Sequence, residues 1–207
     1  MRIPLLVLLF LMVQSITAQK INVYKNDIGI NMTTLLSEVI GLGDSDIVPN
    51  YNISYRRTFN KKALRVSAHA GLNKNSDFNN IDNSTISLEE KDFRLRVGFE
   101  NHTALSQKFL LIIGLDVLGM YQSSISVSST GFENDIKTVS AGAGPALRFE
   151  YKISDRISLM TESTLYFITG NENDKVTFLG QVQNNSNNAK YSLTTQIPSV
   201  LFINVHF

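Results

Sequence analysis

The sequence contains no cysteine, little net charge, and no long apolar run beyond its first 18 residues. Without cysteine, the chain has no disulfide framework and no thiolate ligand for a metal ion. Its 19 lysines and arginines nearly balance 18 acidic residues, which excludes the strongly basic surface that nucleic-acid binding requires. No later segment approaches the roughly 20 apolar residues of a transmembrane helix. If the chain enters a membrane, it must do so as a closed β-barrel, because lipid offers no partner to an open sheet edge.

The first 18 residues have the three parts of a secretory signal peptide. Arg2 provides a short positive start, residues 3–13 form an apolar core, and residues 15–18 form a small-residue exit. We expect cleavage after Ala18, with the exact bond left open because Ile16 occupies the position where a smaller residue is usual. Residues 19–207 then form a single exported domain. The lack of cysteine near the bond excludes a lipid-modified N-terminus.

Residues 108–122 carry the clearest pattern in the chain. Every second residue from Phe109 to Tyr121 is uncharged and mostly apolar, whereas the alternate positions are mixed and include Lys108 and Asp116. This period of two is typical of a β-strand whose side chains alternate between two faces. At roughly 3.3 Å per residue and a tilt of about 40°, such a strand crosses about 30 Å, the depth of a bilayer's hydrocarbon core.

Seven further segments alternate in the same way, which predicts eight strands in total. The connections also alternate: long polar ones follow strands one, three, five and seven, and short turns follow strands two, four and six. Transmembrane barrels show this asymmetry. Pro145 predicts a bulge or locally broken pairing, because proline cannot donate to the ladder. The predicted strands are residues 27–37, 50–59, 62–72, 89–101, 108–122, 136–151, 156–169 and 191–207, and the long connections are 38–49, 73–88, 123–135 and 170–190.

Two of the predicted long connections have unusual composition. Residues 38–49 are rich in apolar side chains, so they either extend the flanking strands or form a contact surface. Residues 175–182 have the pattern of a hairpin that would rise above the barrel. Because connections on a rigid scaffold often carry binding, we expect the four long ones to be the working surface.

The apolar face of these strands is predicted to point outward. An eight-stranded barrel has room inside for side chains or one small ligand only, and the bulky Phe, Leu, Ile and Tyr residues exceed that space. The opposite face, with its glycines, serines, threonines and a few charges, fits inside. The fold prediction is therefore an all-β, eight-stranded antiparallel up-and-down transmembrane β-barrel. The alternative is a soluble lipocalin-like carrier, in which the apolar face would surround a ligand.

The chain resembles the small outer-membrane β-barrels of Gram-negative bacteria, of the OmpA-transmembrane or OmpX type. The resemblance rests on the eight alternating segments, on NYNISYRR at residues 50–57, and on the ending LFINVHF. That ending is similar to the signal that such proteins present to the barrel-assembly machinery. Its alternate residues are Leu201, Ile203, Val205 and Phe207. The resemblance implies an outer-membrane location and contact with membrane lipids, and it specifies no activity.

Charged residues on the inward face form the candidate site. They could line an ion path, but charges of both signs favour cross-strand ion pairs that plug the interior, because an unpaired buried charge is costly. The predicted inward charges are Arg56, Arg65, Asp92, Arg94, Arg96, Glu100, Asp116, Arg148, Glu150, Arg156 and Glu162.

The sequence offers little for catalysis. A Ser/His/acid constellation near the outer leaflet would fit a lipid A-modifying enzyme, but His69 is predicted inside and His102 and His206 lie near the short-turn end. We therefore expect no catalytic, cofactor or metal site. The predicted protein is a monomer with a structural or adhesive role, exercised through its surface loops on an unidentified ligand or surface. The enzyme and the soluble carrier remain the alternatives.

Overall fold

The computed structural model describes residues 25–33, 53–79 and 84–207, with the side chains of residues 79, 84 and 196–199 excepted. The predicted signal peptide, its expected cleavage point and the predicted connection 38–49 lie outside these ranges. The described part is all-β, and no helix in it is long and apolar enough to cross a membrane. The strands are β1 (Asn26–Asn31), β2 (Ile53–Phe59), β3 (Lys62–Asn79), β4 (Ser84–Ala104), β5 (Phe109–Ser128), β6 (Phe132–Lys152), β7 (Ile157–Phe178) and β8 (Gln181–His206).

The sheet is antiparallel and closes on itself. The eight described strands are hydrogen-bonded in chain order, and β1 also pairs with β8, so that the strands form a closed barrel. This confirms the prediction of an all-β antiparallel fold. Because each strand leads directly into its neighbour, the connections alternate between the two ends of the ring.

The paired residues reveal how steeply the strands are inclined. Following the paired residues from Ile30 across β2 to β7 in turn leads to Tyr191 on β8. The residue of β8 that pairs directly with Ile30 is Ile203, so one circuit of the ring shifts the register along β8 from Ile203 to Tyr191. This stagger includes an irregularity between Glu162 and Thr164. At roughly 3.3 Å per residue, against eight interstrand spacings of about 4.8 Å, it corresponds to a strand tilt of about 45°.

The two faces of the sheet differ sharply in chemistry. Phe93, Leu95 and Val97 point outward and are exposed, while Arg96 and Glu100 point into the ring and are buried. The same alternation runs through β5 and β6. Side chains of opposite character therefore leave the same strand in opposite directions, as the two-residue period requires.

Three predicted loops are wrong. The stretches 73–88, 123–135 and 170–190 are largely strand: β3 continues to Asn79, β5 to Ser128 and β7 to Phe178. These extensions are rich in polar residues and have only short apolar alternations, such as Ile125 and Val127, so the hydrophobic period that marks a strand weakens although the backbone ladder continues. The hairpin predicted at 175–182 is confirmed, with Leu179 and Gly180 at its tip, both at positive φ as a two-residue hairpin turn requires.

The predicted break at Pro145 is confirmed. On the β7 side, pairing runs to Ala143 opposite Phe167 and resumes at Ala146 opposite Thr164, without a change of register. The backbones approach closely at this point, because a Cβ atom built on Gly144 would lie 1.9 Å from the carbonyl oxygen of Leu165.

Gly144→Ala should therefore destabilise the fold by at least about 1–3 kcal/mol, since the added methyl group must push two strands apart. The measurement is the urea midpoint of the purified protein. Gly119→Ala on β5 is the matched control, because its added Cβ would meet nothing within 4 Å. Equal midpoints for the two variants would contradict the close approach.

Candidate functional site

Charged side chains from six strands converge inside the ring. Eight of the predicted inward charges are at most 3% exposed. They meet because every second side chain of each strand points into the ring. They are Arg56 on β2, Arg65 on β3, Arg96 and Glu100 on β4, Asp116 on β5, Arg148 and Glu150 on β6, and Glu162 on β7.

Arg148 contacts three carboxylates at short distances. Its Nε and Nη2 atoms lie 2.6 Å from Glu162 Oε2 and from Asp116 Oδ2, and its Nη1 lies 3.1 Å from Glu100 Oε1. One guanidinium thus faces three carboxylates from three different strands. Charge-assisted contacts at such distances are the strong class of polar interaction.

Two further arginines share the same carboxylates. Arg65 lies 2.7 Å from Glu162 and 3.0 Å from Glu100, and Arg96 lies 2.7 Å from Glu162. The Tyr166 hydroxyl donates to Asp116 Oδ2 (2.7 Å) and accepts from Arg96 Nη1 (2.9 Å). We call this group of three arginines and three carboxylates the central cluster, and its formal charges cancel. Its members are Arg65, Arg96, Arg148, Glu100, Asp116 and Glu162.

A second group fills the short-turn end of the interior. Arg56 lies 2.7 Å from Asp27 and 2.6 Å from Glu150, and its Nη1 reaches within 3.8 Å of Glu100 in the central cluster. The Ser158 hydroxyl donates to Glu150 Oε1 (2.8 Å), and His206 Nε2 lies 3.3 Å from that oxygen. The buried charges therefore form one continuous chain of contacts from this end to the middle of the ring.

Three predicted inward charges, Asp92, Arg94 and Arg156, lie outside these two buried groups. Asp92 and Arg94 are only half-buried and pair with each other, and His69 Nε2 is 3.9 Å from Asp92 Oδ2. The assignment of Arg156 to the interior is wrong, because its side chain is exposed. The reason is a strand boundary: β7 begins at Ile157, so Arg156 belongs to the preceding turn and is not subject to the alternation.

Sequence reasoning left Asp27, Ser158 and Tyr166 out of the site. All three are buried members of the polar network. Asp27 could have been included, because it shares the polar face of β1 with Gly29. Nothing in the sequence singles out Ser158 and Tyr166, since an isolated hydroxyl on an inward position has no distinctive pattern.

Ser158, His206 and Asp27 have the composition of a hydrolytic triad. His206 Nε2 lies 2.9 Å from Ser158 Oγ, and His206 Nδ1 lies 3.9 Å from Asp27 Oδ2. Catalysis would require a hydroxyl that meets a substrate. Ser158 is fully buried and its hydroxyl donates to Glu150, so this arrangement supports packing of the interior.

Close packing leaves the central cluster little free space. A Cβ atom built on Gly98 would lie 2.1 Å from Asp116 Oδ1, so the glycine makes room for this carboxylate. Among the residues that the structure describes, no group of histidine and acidic side chains has the arrangement needed to hold a metal ion. The site is therefore a set of ion pairs between arginines and carboxylates that occupies the interior of the ring.

The last strand places its predicted assembly residues outward. Leu201 and Ile203 are half-buried, while Val205 and Phe207 are exposed. β8 pairs with β1 here, with Val205 opposite Ile28. The first and last described strands therefore close the ring at this seam.

The chain matches no family model, no curated protein and no solved structure.

Arg148→Ala should lower the free energy of unfolding by about 3–5 kcal/mol, because three buried carboxylates lose a shared cation. Denaturant titration measures this change. Arg156→Ala is the control, since this exposed arginine should contribute less than about 0.5 kcal/mol. A loss at Arg148 no larger than that at Arg156 would contradict a cooperative network.

Proposed function

We propose that this protein is a monomeric outer-membrane β-barrel whose interior is plugged and whose surface hairpins have a structural or adhesive role. The observation that carries the proposal is the inverted arrangement of the fold, with hydrophobic side chains outside and ion pairs inside. A protein in water would gain nothing from this arrangement, because apolar surface is stabilised by removal from water.

The exposed apolar side chains on the outside of the ring form a band, which we call the outer belt. Its height matches the thickness of a bilayer's hydrocarbon core. On β5 it extends from Phe109 to Tyr121, and at a tilt of about 45° these residues span about 28 Å, close to the hydrocarbon thickness. Exposed apolar residues of this kind occur on β1 to β8, whereas soluble monomers rarely expose contiguous apolar patches above a few hundred Å². Lipid is therefore the environment that best suits this surface.

Aromatic pairs mark both edges of the belt. Phe109 and Tyr151 lie 4.9 Å apart between ring centroids near the short turns, and Phe93 and Tyr121 lie 6.4 Å apart at the other edge. Aromatic girdles at the two interfaces are typical of transmembrane barrels. Beyond the second pair, charged residues occupy the outward positions of β4 and β6, with Lys91 and Lys137 as the first ones.

The filled interior supports a role without an open pore. The central cluster crosses the ring from β3 to β7, through contacts such as Arg65 to Glu162 at 2.7 Å. Eight strands leave room for side chains and for no wide aqueous channel. Contacts with other molecules would then be made by the ends of the barrel.

The extended hairpins support the adhesive role. The β7–β8 hairpin continues for about eight residues per strand beyond Gly170, which corresponds to roughly 20 Å at the inferred tilt. Its β8 strand is rich in asparagine and serine, with side chains suited to hydrogen bonding at a wet interface. The signal peptide and the terminal motif ending at Phe207 fit export and assembly by the barrel-assembly machinery, as in proteins of the OmpA or OmpX type.

Residues 19–207 should insert into phosphatidylcholine vesicles and leave them sealed. The apolar belt drives insertion, and the ion pairs block the interior. Flotation with the vesicles measures insertion, and planar-bilayer recording measures conduction. Soluble, unbound protein would contradict the membrane location and favour the lipocalin-like carrier, whereas steady conductance steps would contradict the plug.

Replacing residues 173–187 with an Asn-Gly turn should leave the barrel folded and reduce adhesion of cells that display the protein. The pair Glu172 and Asn188 would then flank a short hairpin turn. Adhesion to uncoated and serum-coated wells is measured. A matched variant shortens the β5–β6 hairpin by replacing residues 125–135. Full adhesion by both variants would contradict a role for these hairpins.

A further inference from the structure

The short-turn end of the barrel carries a ring of positive charge. Residues from the first described position and from all three short turns contribute to it, and we call it the basic rim. Its exposed members are Lys25, Arg57, Lys61, Lys62, Lys108 and Arg156. The three turns contain a single acidic residue, Asp155, and the terminal carboxylate of Phe207 is at the same end. Positive charge therefore clearly exceeds negative charge there.

The cations of the rim lack carboxylate partners within the described structure: none of the six exposed members forms an ion pair there. Two of them lie over aromatic rings of the belt instead, with Arg57 Cζ 5.4 Å from the Phe59 centroid and Lys62 Nζ 5.8 Å from the Phe99 centroid. Such contacts hold a cation at the edge of the apolar surface.

Like charges are also brought together at the rim. Lys61 and Lys62 are consecutive, and the backbone N–H of Lys152, at the end of β6, donates to the carbonyl of Lys108 (2.8 Å), which directly precedes β5 and therefore lies opposite Lys152. Like charges directly opposite each other are destabilising. An external anion between them would remove this repulsion.

The opposite end of the barrel provides the contrast. There, Lys91 lies 2.7 Å from Glu89, Lys137 lies 2.6 Å from Asp135, and Lys190 pairs with Glu172. The hydrogen bond from Lys91 lowers the pKa of Glu89. These three cations are paired with carboxylates of the protein, whereas the described structure gives the six rim cations no such partner.

We propose that the basic rim binds anionic phospholipid headgroups in the leaflet at the short-turn end. This inference rests on the proposed membrane location, because the rim then lies at headgroup depth, directly beyond the aromatic pair Phe109 and Tyr151. A phosphate that two rim cations share supplies the missing counter-charge. Basic residues near an anionic surface gain roughly fivefold in partitioning each, and the gain falls as salt screens it.

The test is lipid selectivity in phosphatidylcholine vesicles that contain the inserted protein. Spin-labelled phosphatidylglycerol is compared with spin-labelled phosphatidylcholine, and the ratio of their association constants is measured. The unmodified protein should prefer phosphatidylglycerol at least about threefold at low salt. At 1 M NaCl the ratio should approach one.

The rim variant combines Lys25→Gln, Lys61→Gln, Lys62→Gln and Lys108→Gln, and its ratio should fall to about one. The control variant combines Lys74→Gln, Lys91→Gln, Lys137→Gln and Lys190→Gln, which removes the same charge from the other end and should keep the preference. A third variant carries arginine at the four rim positions and should also keep the preference for phosphatidylglycerol. This variant tests whether positive charge suffices, independently of the lysine side chain.

Three results would overturn the inference. They are an unmodified protein with a ratio near one at low salt, a rim variant that keeps the full preference, or a control variant that loses as much as the rim variant. If the protein inserts normally while any of these holds, only the rim proposal fails. If it inserts into no vesicle, the proposed membrane location fails and the rim proposal fails with it. Should the rim variant not fold, the salt dependence of the unmodified protein decides.

Discussion

The constraint on which this structure depends is the neutralisation of charge inside a closed ring. The four buried arginines that the structure describes each lie within 3.0 Å of at least one carboxylate, and those carboxylates come from other strands. An arginine left without such partners would impose a penalty of several kcal/mol. Closure of the sheet and pairing of the ions are therefore mutually dependent.

This mutual dependence determines where function can lie. Within the described strands, the side chains of the central cluster occupy the middle of the ring, and the outer belt presents mainly apolar side chains. Under the proposed function, recognition of a partner would therefore take place at the two ends of the barrel. One end carries extended hairpins with internally paired charges, and the other carries the cations of the basic rim, which form no ion pair with any described residue.

Much of the fold was predictable, because a two-residue period directly reports which face a side chain occupies. That period correctly assigns Phe93 and Glu100 to opposite faces. It fails at Arg156, where the strand has not yet begun, and over most of residues 170–190, where both faces are largely polar and only 175–182 carry a recognisable pattern. Contacts inside the ring were beyond prediction: Arg65 meets Glu162, 97 positions away, because the stagger of the strands brings them to the same height.

The sequence by itself determined the class of secondary structure, the order of the strands and the division into apolar and polar faces, since each depends on neighbours one or two positions apart. Only the tertiary structure decided which arginine contacts which carboxylate, how far the hairpins extend, and that the cations at the short-turn end have no acidic partner in the described chain. The physical reason is that closing the ring sets the tilt and stagger of all strands at once, and these are properties of the whole sheet that no local pattern contains.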